Sequence, residues 1–131
     1  VVNRAKAIRI IAAAYRAEAQ GYTLQPKNWG LIWGGQQFEP NGKCLCPLGA
    51  LLLTHPQSLQ GTQVLATQAA LLLEVDLEWV GAFVRAIDQL TTPEEEDEPP
   101  SARRREGYAT GEYVRRFLWE RERDPTQLNE Q

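Results

Sequence analysis

The residues with the most chemical potential are the two cysteines, Cys44 and Cys46, one residue apart and directly ahead of Pro47. Proline is well suited to the first turn of a helix, where its missing N–H would have no intrahelical partner. The Pro47-Leu-Gly-Ala-Leu-Leu-Leu-Thr54 run therefore reads as a short helix with both sulfurs at or just before its N-terminus. There the helix dipole and free amide hydrogens would favour a thiolate, opening routes to nucleophilic or metal chemistry. A structural zinc site needs four ligands, and the chain offers two cysteines and a single histidine, His55. A helix over 48–54 would hold His55 about 10 Å from the thiols, so one zinc ion would require a broken helix and a fourth ligand such as Glu39. A Cys-x-Cys disulfide closes a strained small ring, and the spacing with independent redox support is Cys-x-x-Cys. The stronger expectation for Cys44 and Cys46 is packing as small apolar side chains, with a thiol- or metal-dependent role as the lesser alternative.

Other nucleophilic sets are thinner still. Ser58 and Ser101 are the only serines, and the three-residue separation of His55 and Ser58 defines no triad. Asp76 and Glu78 could pair for proton transfer, but Asp76 is better placed as a helix cap. Gly30, Gly34 and Gly35 precede no Lys-Ser/Thr helix start, so no phosphate-binding loop is indicated. No enzymatic activity and no cofactor are expected. The feature hardest to assign to a core lies near the C-terminal end. Tyr108, Glu112, Arg115 and Trp119 recur at i, i+4, i+7 and i+11 on a helix whose opposite face carries Val114 and Phe117. Two aromatics and an arginine on a face that ought to be solvated match interface composition. The competing expectation is a helix covered on two sides within its own domain.

The elements that must position these residues can be read from periodicity. Residues 3–20 form an amphipathic helix, with Ile8, Ile11, Ala12, Tyr15 and Ala19 on one face, Asn3 as cap and Gly21 as the left-handed terminator. Six glycines and prolines between Pro26 and Gly42 rule out a helix there, and Leu31–Trp33 and Gln37–Glu39 around Gly34-Gly35-Gln36 suit a short hairpin or an aromatic loop over 29–39. Trp29, Trp33 and Phe38 would pin it to the core. After the Cys-x-Cys helix, stopped by Pro56, come a run 62–74 capped by Thr62 and a run 77–90 capped by Asp76. The latter presents Leu77, Val80, Phe83, Val84, Ile87 and Leu90 to the core, with Trp79 at the edge of that face and Gly81 available for a close helix approach. A last helix spans about 102–123 and buries Thr110, Gly111, Tyr113, Val114, Phe117 and Leu118.

The spacing Ala70-x-x-Leu73-Glu74-Val75-Asp76-x-x-x-Val80 resembles that of a helix-turn-helix, which would imply a nucleic-acid partner contacted by Arg4, Lys6, Arg9 and Arg103–Arg105. It departs from that pattern at Glu74, where Gly is usual. The helix that would enter a groove offers Glu78, Trp79, Gly81, Ala82 and Phe83 instead of base-reading side chains.

Composition fits one mostly helical domain of about five helices, 1–123, with a polar tail, 124–131. The chain has 131 residues, 43% of them hydrophobic and 24% charged. A net charge of −3 opposes indiscriminate nucleic-acid binding. Charge is unevenly placed: five bases and one acid lie in residues 1–28, and the acidic, Pro-rich 91–102 loop is followed at once by Arg103–Arg105. No apolar run approaches a membrane span, and Arg4, Lys6, Arg9 and Arg16 interrupt any secretory signal. The expected setting is cytoplasmic with free thiols. The expected function is a non-catalytic protein-binding or adaptor role, engaging a protein partner or a second copy through the C-terminal helix.

Overall fold

Asn3 starts the fold as anticipated. In the computed structural model, which describes residues 1–35, 37–55, 64–89 and 101–120, its side chain accepts the Lys6 N–H and opens α1, Arg4–Ala19. Gly21 follows in the left-handed region. The buried face of α1 is Ala7, Ile10, Ile11, Ala14 and Ala17, rotated from the expected one; Ile8, Ala12 and Tyr15 are half-buried and Ala19 is exposed. Small alanines decide this, because they let α1 lie close against the next helices whereas the bulkier Tyr15 reaches round to Phe117, 6.3 Å between ring centroids.

Two minimal sheets follow. β1, Thr23–Leu24, pairs in parallel with β4, Cys44–Leu45, and between them β2, Leu31–Trp33, and β3, Phe38–Pro40, form the antiparallel hairpin. Trp33 stands opposite Phe38, their rings edge to face at 5.2 Å. The β1–β4 pairing was not legible in sequence, since two-residue strands carry no periodicity. It closes the 25–43 segment on itself. α2, Pro47–Thr54, then begins with Pro47 at its first position and is almost wholly buried from Pro47 to Leu52.

α3, Leu65–Leu73, ends at Glu74, which takes the left-handed conformation at φ 59° and lets the Val75 N–H reach the Ala70 carbonyl at 3.0 Å. α4, Leu77–Ile87, starts three residues later. Its buried face differs from expectation: Trp79, Val80, Ala82, Phe83, Ala86 and Ile87 are buried, Val84 is half-buried, and Leu77 is 54% exposed. Trp79 belongs to the centre of this face, stacked on Phe83 at 5.5 Å. Gly81 approaches nothing; a Cβ there would find open space. The glycines that do admit a helix are on α5, Ala102–Arg115, where Gly107 lies on the Trp79 backbone and Gly111 on the Phe83 carbonyl. α5 continues into one π-helical turn, Arg116–Glu120.

The described residues thus contain five helices, and the fold is mostly helical, as composition and periodicity indicated. α1 packs on α2 and α5, α5 on α4, and α3 joins α2 to α4. No helix among the described residues is long and apolar enough to cross a membrane. Pro56, Ser58, Thr62, Leu90, the acidic run 91–100 and everything from 121 onward lie outside the described residues.

Candidate docking surface

Both thiols are free. Cys44 is half-buried in β4, while Cys46 is 7% exposed and occupies the N-cap of α2, its sulfur accepting the Gly49 N–H at 3.3 Å. Burial pushes the Cys46 thiol up from 9.0 to about 12, overriding the hydrogen bonds from Gly49 and Leu48 that favour its anion; the nearby Asp88 charge raises it further. The sulfur at the helix start is therefore a neutral cap, and the expected stabilisation of a thiolate is reversed by desolvation. His55 ends α2 at its far side, with Nδ1 3.1 Å from the Leu51 carbonyl and 3.0 Å from Thr54 Oγ1. Glu39 lies over Gly34 in the hairpin. Among the described residues no three Cys, His, Asp or Glu side chains are gathered as metal ligands.

The C-terminal stripe is only half exposed. Tyr108, Glu112 and Trp119 are half-buried, and Trp119 packs on the core. The Arg115 side chain is 14% exposed. Its Nε donates to the Ala86 carbonyl at 3.1 Å at the end of α4, and its guanidinium pairs with Glu120 and lies 4.0 Å from Glu112. These residues flank the α4–α5 seam, so much of what would recognise a partner is spent inside the domain. The π turn also breaks the i, i+4, i+7, i+11 register just before Trp119.

A more open surface lies where α3 turns into α4. Thr67, Ala70 and Leu71 of α3, Val75 and Asp76 of the turn, Leu77 and Glu78 of α4 and Arg103 of α5 enclose a groove of about 530 Å³. Leu71 and Leu77 are 59% and 54% exposed across it. Val64, 57% exposed, extends the same face of α3 at i, i+3 and i+7 with Thr67 and Leu71. Isolated exposed leucines are ordinary; a contiguous set around a concavity is what interaction sites display. The rim is acidic. Of the residues that line the groove, Asp76 and Glu78 are exposed acids and Arg103 is an exposed base, and Glu74 in the turn beside it is exposed as well. Asp76 holds the N-cap position of α4 without a side-chain cap bond; its carboxylate instead meets Arg103 Nε at 2.7 Å. Ser101, whose hydroxyl caps α5 by accepting the Arg104 N–H, donates that hydroxyl to Glu78 at 3.0 Å. The first turn of α5 is thereby tied to one bank of the groove.

The basic side chains that nucleic-acid contact would need are partly engaged elsewhere. Arg4 lies over the Tyr113 ring at 5.9 Å, Arg9 donates to the Leu72 carbonyl at 3.4 Å, and Arg103 holds Asp76. Sequence reasoning missed the groove because Leu77 satisfied the helical period of the core face and Leu71 sat in an unbroken leucine run; neither the period nor the run says which side a neighbour covers. The chain matches no protein-family model, and no similar curated protein or solved structure is found.

Proposed function

We propose that this domain is a non-catalytic protein-binding module of a cytoplasmic setting, receiving a basic amphipathic helix of a partner protein in the α3–α4 groove. The carrying observation is the pair Leu71 of α3 and Leu77 of α4, both more than half exposed and lining one concavity with Asp76 and Glu78, with exposed Glu74 in the adjoining turn. A helix laid between two helices offers apolar anchors every third or fourth residue, and lysines or arginines flanking them would meet the carboxylates. A second copy fits less well, since a two-fold contact would set the acidic rim against itself. The expected C-terminal stripe supports this reading less than the groove does, because Arg115 is committed to Ala86 and Glu120.

Titration of the isotopically labelled domain with a leucine–lysine amphipathic peptide tests the proposal by amide chemical shifts. Shifts should centre on Thr67, Leu71, Val75 and Leu77 and weaken with added salt. The double substitution Leu71→Ser/Leu77→Ser should reduce affinity at least tenfold at unchanged thermal stability, and a leucine–glutamate peptide should not bind. Shifts centred on Tyr108 and Trp119, or a dimer closing through the groove, would overturn it. The helix-turn-helix-like spacing, together with left-handed Glu74 between α3 and α4, supports a second reading, nucleic-acid binding; a salt-dependent DNA shift requiring Arg103–Arg105 would promote that one.

A further inference from the structure

A second concavity lies toward the C-terminal end of α4, between that helix, the first turn of α2 and residues 27–29. It has a volume of about 120 Å³; its apolar walls are Trp29, Leu48, Phe83, Val84 and Ile87, and the charged residues Lys27 and Asp88 line it as well. The loop that roofs it is held in place by specific bonds. The Lys27 N–H donates to Asp88 Oδ1 at 2.8 Å, and the Gly30 N–H to Asn28 Oδ1 at 3.0 Å. Lys27 adopts φ 66°, a left-handed conformation unusual for a side chain of its size. Gly49 lets the Trp29 carbonyl rest directly on α2, where a Cβ would not fit. Space left open beneath a roof pinned this way forfeits packing contacts, which a folded chain normally recovers by collapse. Lys27 is instead strained into holding the roof where it is.

The polarity of the cavity is directional. Its floor is apolar and aromatic. At the α2 end, Pro47 has no N–H, and the Gly49 N–H is taken by the Cys46 sulfur, so little of that helix's positive end is left to attract an anion. At the other end lie the C-terminus of α4, negative in its dipole, and the Asp88 carboxylate. Lys27 also lines the cavity, but as an exposed residue held through its backbone N–H it can keep its ammonium in water. An apolar cavity of about 150 Å³ takes up benzene, so a single ring is the scale of guest this one accepts.

We infer that this cavity is a binding site for a small organic ammonium, with one apolar ring seated between Trp29 and Phe83 and the cationic head at Asp88. It is separate from the groove and does not depend on the function proposed for it. Benzylamine, toluene and benzoate, titrated into the full chain and followed by the Trp29 indole N–H and the Leu48 and Ile87 amides, provide the test. Benzylamine should bind saturably and at least fivefold more tightly than toluene, and benzoate most weakly. Asp88→Asn keeps an oxygen for the Lys27 N–H and should reduce benzylamine binding to the level of toluene. Val84→Phe should fill the cavity and abolish both; if that variant fails to fold, Asp88→Asn decides alone. Absence of saturable shifts at these three positions, equal affinity for benzylamine and toluene, or an Asp88→Asn variant that binds benzylamine as tightly as the parent, would overturn the assignment.

Discussion

Two influences compete at the Cys46 sulfur. The first turn of α2 directs amide hydrogens at it, which favours a thiolate, while the surrounding core withholds the solvation a thiolate needs. Desolvation is the larger, and it pushes the thiol up from 9.0 to about 12. The consequence for stability has a definite sign. Between those values the unfolded chain has released the proton and the folded one has retained it, so this stabilisation is complete below pH 9 and is lost progressively as pH rises toward 12. The slope is roughly 1.4 kcal/mol per pH unit. Denaturant titrations of the parent and of Cys46→Ala should therefore converge above pH 9, and in a thiol-reagent assay at neutral pH half-buried Cys44 should react well before Cys46. Sequence indicated the position of Cys46, as an N-terminal helix residue beside Pro47. It could not indicate the pKa, because Phe83 and Ile87 of α4, which line the same cavity as Cys46, come from an element far along the chain and their approach is a tertiary fact.

Glycine spacing on two helices shows how an element acquires its role from its neighbour. Gly81 and Gly107 are both helical, and single-sequence reasoning assigned the close approach to Gly81. The contact is made by Gly107 and Gly111, one turn apart on α5. A Cβ on Gly107 would come within 2.9 Å of the Trp79 Cα, and one on Gly111 within 2.6 Å of the Phe83 carbonyl oxygen. Gly81→Ala should raise stability by about 0.5–1 kcal/mol through helix propensity alone. Gly107→Val should lower it by about 3 kcal/mol, since α5 must lift from α4; thermal unfolding of the two variants checks both signs. The i, i+4 glycine pair was visible in sequence as a small-residue stripe, and it was the available signal for the α4–α5 seam. Helix starts were legible where the signal is local, as at Asn3 and Pro47; Ser101, which caps α5, was not singled out, and Asp76 holds its N-cap position without the expected side-chain bond. Core faces were legible less well. On α1 and α4 the wide apolar content admits several faces, and only the partner helix selects one.

The ends of the described fold are joined through one carboxylate. Glu106 Oε2 accepts from Trp79 Nε1 at 2.6 Å and from Asn3 Nδ2 at 3.3 Å, and Thr110, fully buried, accepts the Asn3 N–H at 2.9 Å while donating to the Glu106 carbonyl at 2.7 Å. The start of α1, the middle of α4 and the first half of α5 thus share a polar clasp across more than a hundred residues of chain. Glu106→Ala leaves the buried indole N–H without its acceptor and should destabilise the domain by roughly 2 kcal/mol. The checking measurement is urea unfolding, with a lowered midpoint and an unchanged slope. Glu106 was not singled out in sequence, where it stands among Arg103–Arg105 as one more charge on a polar helix start.

What the residues determined alone is whatever depends on contacts a few positions apart: helix caps, the proline at the start of α2, the hairpin about Gly34-Gly35, and the mostly helical class that follows from them. Hydrogen bonds and backbone sterics of that range involve only neighbours along the chain, so their signals are written locally. The tertiary structure decided which apolar residues are covered. Leu71, Leu73 and Leu77 are equivalent by composition; Leu73 is buried and the other two stand open because α3 and α4 are joined by a three-residue turn at left-handed Glu74. Burial depends on the neighbour that excludes water, and that neighbour arrives from far along the chain. The acidic groove, the Trp29-roofed cavity and the neutral Cys46 thiol all follow from it.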